Sequence, residues 1–329
     1  MVRIGLLGCG RIGQVHARSV GQIEGAVITV VSDAFAKPAD ALAAKTGAIV
    51  ASPDDLIARA DIDAVVIGTP TTTHYDLIHA AAKAGKAIFC EKPVDSSAAR
   101  IRDCIRAVDA ADVPFFTAFN RRFDPNFAYL QNQLAQGDIG DVEIVTILSR
   151  DPSPPPLSYI ETSGGLFRDM MIHDLDMARF LLGEEPVSLY AVGSSLVDPE
   201  IGKAGDVDTA AVTLTTASGK ICQISNSRRA AYGYDQRIEV HGSMGMLRAE
   251  NMLENTVEHA SSNGFTKAPA QHFFLERYEA AYRAEMAYFV DCVANGTPIT
   301  PGIEDGLKAQ MMADAATQSH QLGTPVSLD

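Results

Sequence analysis

The chain has few cysteines, and none of them forms a C-x-x-C pair. The five that are present are odd in number and widely separated along the 329 residues. This usage fits a reducing compartment and offers no zinc-binding signature, so we expect no metal. Long apolar runs are also missing, and no stretch approaches the length that crosses a bilayer. The first residues run directly into a strand pattern, without the charged start and cleavage site of a signal peptide. These absences predict a cytoplasmic protein.

Basic residues are the second shortage. The chain has 27 Lys and Arg against 41 Asp and Glu, which gives a formal net charge of -14. Nucleic acid and anionic membranes both need a basic surface, so we expect neither as a partner. With 47% hydrophobic and 21% charged residues, the composition is ordinary for a globular protein. The length predicts two domains, each with a core of its own.

A glycine-rich turn near the N terminus has the sequence Gly8-Cys9-Gly10-Arg11-Ile12-Gly13. An apolar strand pattern precedes it, a helical pattern follows it, and a second apolar run ends at Asp33, twenty positions after the last glycine. In this context G-x-G-x-x-G predicts a dinucleotide site, because glycine permits the tight turn and the close approach of backbone to pyrophosphate. The amides at the helix N terminus then face the phosphates. A glycine turn alone is common, and its context is what favours this interpretation.

Strand and helix patterns alternate through residue 120. The near-continuous apolar runs at residues 64–68 and 87–90 are typical of parallel strands buried on both faces. They predict an α/β Rossmann domain with a doubly wound parallel sheet over residues 1–120. Ligands of such sheets bind at the carboxyl ends of the strands. The predicted cofactor-binding residues at these ends are Gly8, Gly10, Arg11, Ile12, Gly13, Asp33, Thr69, Pro70, Glu91 and Lys92.

Residues 121–329 predict a second, α+β domain with a large, mostly antiparallel open sheet. The prolines at 152–156 predict a loop. Two long helical patterns, at residues 273–295 and 303–322, are expected to return and brace the first domain. The face of the sheet away from its helices is expected to be partly apolar, with side chains from Val212, Leu214, Ile221 and Ile238.

Residues 164–183 predict one helix, with a Gly-Gly entry and Gly183 as its stop. Asp169 and His173 are four residues apart and Asp176 follows one turn later, so all three are expected on one face. An apolar stripe lies roughly opposite and consists of Met171, Leu175, Ala178 and Leu182. The polar face can serve as an acid/base pair above a substrate, or it can simply be solvated, which is the more common fate of such charges.

Three motifs together resemble the Gfo/Idh/MocA oxidoreductase family: the glycine turn, Glu91-Lys92-Pro93 and Asp169-x-x-x-His173. The resemblance covers essentially the whole chain. Within the family, the runs at residues 119–125, 149–152 and 172–180 resemble the bacterial myo-inositol 2-dehydrogenases most. The Glu-Lys-Pro and Asp-x-x-x-His signatures indicate the family but not the substrate.

The resemblance implies roles for individual side chains. Lys92 contacts the reacting hydroxyl group, His173 takes its proton, and Asp169 orients or charges His173. The implied substrate ligands are Asp151, Asp176, one of Arg121 and Arg122, and one of Tyr232 and Tyr234. His74 has two open interpretations, a contact to the cofactor or a structural helix cap.

The cofactor implied by the resemblance is NAD, because Asp33 is followed by Ala34 rather than by the basic or hydroxyl residue of relatives that bind NADP. No side chain accepts a hydride, so oxidation of an alcohol requires such a cofactor. It also requires a base, for which histidine is suited, and a cation such as Lys92 to stabilise the alkoxide.

The expected function is therefore NAD-dependent oxidation of a cyclic polyol, with myo-inositol converted to 2-keto-myo-inositol (scyllo-inosose). The alternatives are a dehydrogenase of scyllo-inositol or a hexose, and a non-enzymatic NAD-binding regulator that senses sugars. The presence of Lys92 and His173 favours the enzyme. The resemblance, together with an apolar sheet face, predicts a homotetramer.

Overall fold

The computed structural model describes residues 1–328. The chain forms two compact units. The first consists of residues 1–123 and 280–310, and the second of residues 124–279 and 311–328. Residues 280–310 thus belong to the same unit as the N-terminal region. We retain the division into domains at residue 120 as a prediction, since a compact unit need not fold separately.

The helices and strands alternate in the first part of the chain and are segregated in the second. Within the described residues the helices are α1 (Arg11–Val20), α2 (Ala36–Thr46), α3 (Pro53–Ala58), α4 (His74–Lys83), α5 (Ala98–Ala111), α6 (Pro125–Gln136), α7 (Leu157–Ser163), α8 (Leu166–Asp169), α9 (Ile172–Leu182), α10 (Pro199–Lys203), α11 (Phe274–Arg277), α12 (Glu279–Asn295) and α13 (Ile303–Leu322). Short 3₁₀ turns cover Thr71–Thr73 and Asn120–Phe123.

The strands over the same residues are β1 (Val2–Leu7), β2 (Ala26–Ser32), β3 (Ile49–Val50), β4 (Ala64–Ile67), β5 (Ala87–Glu91), β6 (Phe115–Ala118), β7 (Val142–Arg150), β8 (Pro186–Ser194), β9 (Thr209–Thr216), β10 (Ile221–Ser227), β11 (Asp235–Gly242), β12 (Gly245–Ala249), β13 (Glu258–Ser261), β14 (Gly264–Lys267) and β15 (Val326–Ser327).

The first unit is built on a six-stranded parallel sheet in the order β3-β2-β1-β4-β5-β6. This is the strand order of a doubly wound dinucleotide-binding fold. Apolar clusters cover both faces: Phe89 packs on one side with Phe289 of α12, and Val65 packs on the other with Ile78 of α4. Burial on both faces explains the continuous apolar runs of the central strands. The predicted fold class of this region is confirmed.

The second unit is built on a seven-stranded sheet in the order β12-β11-β7-β10-β9-β8-β15. Strands β7 and β10 are parallel, and the other neighbours are antiparallel. One face packs on α9, so the prediction of a mostly antiparallel sheet with helices on one side is confirmed. An exposed hairpin, β13–β14, was not predicted.

The predicted apolar residues of the free sheet face were assigned to the wrong side. Val212, Leu214 and Ile238 are buried on the side of the unit's own core, and Ile221 alone of the four is partly exposed on the other side. Side chains alternate along a strand, so an error of one residue in parity moves a whole set to the opposite face. The exposed apolar residues of the free face include Ile144, Tyr190, Val192 and Met246.

The helix predicted over residues 273–295 is also interrupted. It consists of α11 and α12, with Tyr278 between them at φ -111 and ψ 17. Arg277 at the end of α11 is buried and forms an ion pair with Asp124, the N-cap residue of α6. A buried cation needs a paired anion, and this ion pair joins the end of α11 to the start of α6. No helix among residues 1–328 is both long and apolar enough to span a membrane.

Candidate active site

The glycine-rich turn between β1 and α1 needs glycine for reasons internal to the fold. Gly8 has φ +96, and a Cβ atom there would lie 2.6 Å from the carbonyl oxygen of Gly68. A Cβ atom on Gly13 would lie 1.9 Å from the carbonyl oxygen of Gly8. At Gly10, by contrast, a Cβ atom would meet nothing within 4 Å in the described residues. The protein's own packing therefore leaves the space above Gly10 open, as a cradle for a pyrophosphate requires.

Asp33, at the end of β2, is bonded to this turn. Its carboxylate accepts hydrogen bonds from the backbone N–H of Cys9 at 2.7 Å and of Phe35 at 2.9 Å. Asp33 is half-buried, whereas Ala34 is exposed and offers no cation. Arg11 and Ile12 are the first residues of α1, and its N-cap, Gly10, makes no side-chain cap bond. The group of predicted cofactor residues is thus brought together at one end of the parallel sheet.

His74 connects the ends of two neighbouring strands. Its Nδ1 lies 3.0 Å from the carbonyl oxygen of Pro93, and its Nε2 lies 2.9 Å from that of Thr69. The ring is buried, and burial lowers the pKa of His74 below its ordinary value. His74 begins α4 but does not cap it. It holds together the loops that carry Thr69-Pro70 and Lys92-Pro93, and a direct contact to the cofactor remains a prediction.

Lys92 follows directly on β5, is half-buried, and is joined to Pro93 by a cis peptide bond. The preceding residue, Glu91, accepts a 2.7 Å hydrogen bond from Nε2 of His16 on α1. Glu285 of α12 completes a cluster in which the three side chains have potential ligand atoms within 4.8 Å of one another. Two atoms bound to one zinc ion at its usual bond lengths lie more than about 3 Å apart. The shorter His16–Glu91 distance is that of a hydrogen bond, and the prediction of no metal is retained.

The two candidate arginines lie in the turn Asn120–Phe123 of the first unit. Arg121 is buried. Arg122 forms an ion pair with Asp305 of α13, with 3.0 Å between Nη2 and Oδ1. The prediction that one of these two arginines binds the substrate is retained.

The predicted single helix over residues 164–183 is two helices. Asp169 ends α8, and His173 is the second residue of α9. Between them the backbone N–H of Met171 bonds to the carbonyl oxygen of Leu166, five residues back. This widened turn shifts the helical register by one residue, which spacing alone does not reveal. Asp169 and His173 therefore do not share the face of one regular helix.

The solvated-face interpretation of this segment is wrong. Asp174 and Asp176 are buried, and Asn226 donates a 2.7 Å hydrogen bond to Asp174. Asp169 and His173 are half-buried. Buried carboxylates are costly unless they are hydrogen-bonded or paired, so this face is an ordered polar site and not a solvated surface. The predicted apolar stripe is buried, as expected: Met171, Leu175, Ala178 and Leu182.

Asp169 is contacted on both carboxylate oxygens. The hydroxyl group of Tyr159 on α7 donates to Oδ1 at 2.8 Å, and Nη2 of Arg228 lies 3.5 Å from Oδ2. Neither residue was predicted. Arg228 is 59 residues from Asp169 along the chain and belongs to no local motif. A long-range pair of this kind leaves no signal in the spacing of a single sequence.

The remaining predicted substrate residues also lie in the second unit. Asp151 is half-buried after β7. Tyr232 is exposed, donates a 2.6 Å hydrogen bond to Asp235, and accepts a 3.0 Å bond from Arg150. Tyr234 is buried, with its ring against that of Tyr278. Of the two tyrosines, only the ring of Tyr232 is accessible to a ligand.

Comparison with known proteins gives one answer over the whole chain. A model of the Gfo/Idh/MocA oxidoreductase family described as an NAD-binding Rossmann fold matches residues 2–119, and a second described as a C-terminal alpha/beta domain matches residues 131–328. An inositol 2-dehydrogenase of Rhizobium meliloti (strain 1021) is 54% identical over 318 residues, 97% of this chain and 96% of that protein. A myo-inositol 2-dehydrogenase of Thermotoga maritima is 45% identical over 330 residues, 100% of this chain and 99% of that protein.

A similar solved structure is that of a scyllo-inositol dehydrogenase from Lactobacillus casei with bound NAD(H) and scyllo-inositol. It has a TM-score of 0.92 and 30% identity, and the match covers 99% of each chain. Domain models, full-length relatives and fold agree. The chain belongs to the Gfo/Idh/MocA family of oxidoreductases.

Proposed function

We propose that this protein is an NAD-dependent polyol dehydrogenase that oxidises myo-inositol to 2-keto-myo-inositol (scyllo-inosose). One observation carries the proposal. The chain is 54% identical over nearly its full length to an inositol 2-dehydrogenase, and it contains Lys92, Asp169 and His173. A family member that only senses sugars has no need of this set.

The residues of the first unit fit the dinucleotide. Gly8 and Gly13 form a turn that no other residue fits, Gly10 leaves open space, and the N terminus of α1 is free of a side-chain cap. Asp33 is suited to accept hydrogen bonds from ribose hydroxyl groups. When bound, NAD supplies the hydride acceptor that the side chains lack.

The protein's own contribution is proton transfer and charge stabilisation. His173 takes the proton of the reacting hydroxyl group, because a neutral imidazole is a base suited to neutral pH. The ammonium group of Lys92 stabilises the developing alkoxide. Asp169 orients His173 and favours its protonated form. Substrate hydroxyl groups are proposed to be recognised by Asp151, Asp176, one of Arg121 and Arg122, and Tyr232, since an uncharged polyol is recognised through hydrogen bonds.

Two alternatives differ in substrate or in class. A similar structure carries scyllo-inositol, which supports that isomer, and a hexose is the third candidate. A non-enzymatic NAD-binding regulator would bind a sugar without turnover. Initial rates with NAD against inositol isomers and aldoses separate the substrates. The regulator is supported only if a polyol binds, by calorimetry, and no NADH forms.

We also propose a cytoplasmic homotetramer. All five cysteines are free and buried, as in proteins of a reducing compartment. The free face of the second sheet exposes Ile144, Tyr190 and Val192, side chains that a subunit interface would cover. The acidic net charge argues against nucleic acid and anionic membranes as partners.

A further inference from the structure

Arg228 is a buried cation at the end of β10. Its side chain is 1% exposed, and its backbone N–H donates to the carbonyl oxygen of Asp208 at 2.8 Å. Its Nη2 lies 3.5 Å from Oδ2 of Asp169 and 3.9 Å from Oδ2 of Asp206. Arginine is rarely buried without an anion. Here one guanidinium group is shared by two carboxylates.

These two carboxylates lie at opposite ends of the short helix α8. Asp206 accepts hydrogen bonds from the backbone N–H of Leu166, the first residue of α8, at 3.0 and 3.1 Å. Asp169 is its last residue. The approach of Asp206 requires Gly165, which has φ +85 and whose added Cβ atom would lie 2.6 Å from Oδ1 of Asp206. Arg228 therefore connects the group that fixes the start of α8 with the group that ends it.

The two carboxylate oxygens of Asp169 are contacted by donors of different kinds. Tyr159 is a neutral donor, because burial and the nearby negative charge of Asp169 raise the pKa of its hydroxyl group. Arg228 carries a full positive charge. Two charged residues of this segment have other contacts: Arg168 pairs with Asp314 at 2.6 Å, and Asp174 accepts a hydrogen bond from Asn226. Asp176 lies 3.7 Å from Arg179, and Asp151 lies close enough to Tyr159 to act on its hydroxyl group.

We propose that Arg228 is a positioning residue for the reaction: it fixes Asp169 and partly offsets the negative charge of that carboxylate, so that His173 stays neutral and can accept the substrate proton. The proposal rests on the proposed function, in which His173 is the base. A carboxylate without a cation beside it favours the protonated form of a neighbouring imidazole, and an imidazolium ion cannot take a proton. In this role Arg228 acts on His173 through Asp169.

Replacement of Arg228 by methionine tests the proposal, because methionine preserves an apolar stem and removes the charge. The pH at which kcat/KM falls on the acidic side reports the protonation of the base in the free enzyme. In Arg228→Met this limb is expected to move to higher pH by about 0.5 to 1 unit. The KM for NAD should stay unchanged, while Arg228→Lys, which keeps the charge, should return the limb most of the way.

Arg229→Met is the matched control, since Arg229 is the exposed neighbour with the same charge. The acidic limb of its kcat/KM profile should stay at the wild-type pH. Asp206→Asn gives the opposite sign: it keeps an acceptor for Leu166, removes the anion that competes for Arg228, and should move the limb to lower pH. If Arg228→Met fails to fold, as judged by circular dichroism, Arg228→Lys and Asp206→Asn decide.

Two outcomes would overturn the proposal. One is a folded Arg228→Met enzyme with the wild-type limb, and the other is an equal shift in Arg228→Met and Arg229→Met. If Arg228→Met does not fold, an acidic limb of kcat/KM at the wild-type pH in Asp206→Asn would also overturn the proposal. The His173→Ala variant distinguishes these failures from failure of the proposed function. Loss of turnover in His173→Ala with an unmoved limb in Arg228→Met refutes the positioning role alone.

Discussion

Nε2 of His16 lies 2.7 Å from Oε1 of Glu91, so the residue before Lys92 is tied to the first helix of the dinucleotide-binding fold. Glu285 reaches the same cluster from α12. Neither of its oxygen atoms has a hydrogen-bond partner within residues 1–328. A buried carboxyl group in this position, beside a second carboxylate, favours its neutral form.

The first prediction concerns the pH dependence of stability. Burial, and then the charge of Glu91, raise the pKa of Glu285 well above its ordinary value in the folded protein. The folded state therefore binds a proton that the unfolded state releases above its ordinary pKa of 4.5. This stabilisation is complete below that pH and is lost as the pH rises towards the folded-state value, by up to about 1.4 kcal/mol per pH unit.

Glu285→Gln removes this titration. We expect its Tm to fall less than that of the wild type between about pH 5 and pH 8, a range that lies above the ordinary pKa of glutamate. Glu279→Gln, at the exposed start of the same helix, is the control and should follow the wild type. Parallel curves for wild type and Glu285→Gln in differential scanning fluorimetry would refute a neutral Glu285.

Gly10 offers a prediction that separates cofactor binding from folding. Its φ of -69 is accessible to alanine, and an added Cβ atom meets no described atom within 4 Å. Gly10→Ala should keep the wild-type Tm and weaken NAD binding by about tenfold or more, which is at least about 1.4 kcal/mol. Gly13→Ala should unfold or misfold the turn, because its Cβ atom would overlap the carbonyl oxygen of Gly8. Wild-type affinity for NAD in Gly10→Ala, by calorimetry, would contradict the assigned site.

Asp33 predicts preference for NAD over NADP. Its carboxylate would meet the 2′-phosphate of NADP with like charge, and the exposed Ala34 supplies no cation. The expected penalty is a few kcal/mol, about tenfold for each 1.4 kcal/mol. Asp33→Ala combined with Ala34→Arg should shift the preference towards NADP. Equal kcat/KM for the two cofactors in the wild type would disprove this reasoning.

The free face of the second sheet predicts self-association. Tyr190 and Val192 alternate with buried residues of β8 and are exposed in the isolated chain. Tyr190→Glu should lower the mass measured by light scattering at micromolar protein, because a charge at a covered apolar interface is costly. Tyr129→Glu, at an exposed position of α6, is the control and should keep the tetramer. A monomeric wild-type mass would rule out the proposed assembly.

The local parts of the site could be predicted from the sequence, and its long-range parts could not. The spacing of Gly8, Gly13 and Asp33 predicts their roles, because a strand, a turn and a helix impose that spacing directly. The break between α8 and α9 escaped prediction, since Met170 and Met171 keep right-handed helical angles while the hydrogen bonds widen by one residue.

Arg228 and Glu285 could not be predicted from the sequence for a different reason. Each is a single ionisable residue whose neighbours in the cluster lie far away along the chain, and hydrophobic periodicity does not record such long-range contacts. The assignment of Val212 to the free face failed because alternation predicts two faces but not which of them the helices cover. Topology supplies that information, and it depends on the packing of α9 against β7 and β10.

Charge at Asp169 and Lys92 should affect turnover in distinguishable ways. Asp169→Asn keeps the shape and removes the charge that favours protonated His173, so the acidic limb of kcat/KM should move to lower pH while kcat falls. Lys92→Ala should lower kcat through lost alkoxide stabilisation and positioning. A variant series with steady-state rates across pH separates the two effects.

The most direct test of the account is the turnover of His173→Ala with myo-inositol and NAD. The variant should bind NAD with nearly wild-type affinity, because the proposed cofactor residues belong to the first unit and His173 to the second. Its kcat should fall by roughly 10²- to 10⁴-fold, the usual contribution of general acid–base catalysis. A folded His173→Ala enzyme that turns over at near the wild-type rate would contradict the mechanism.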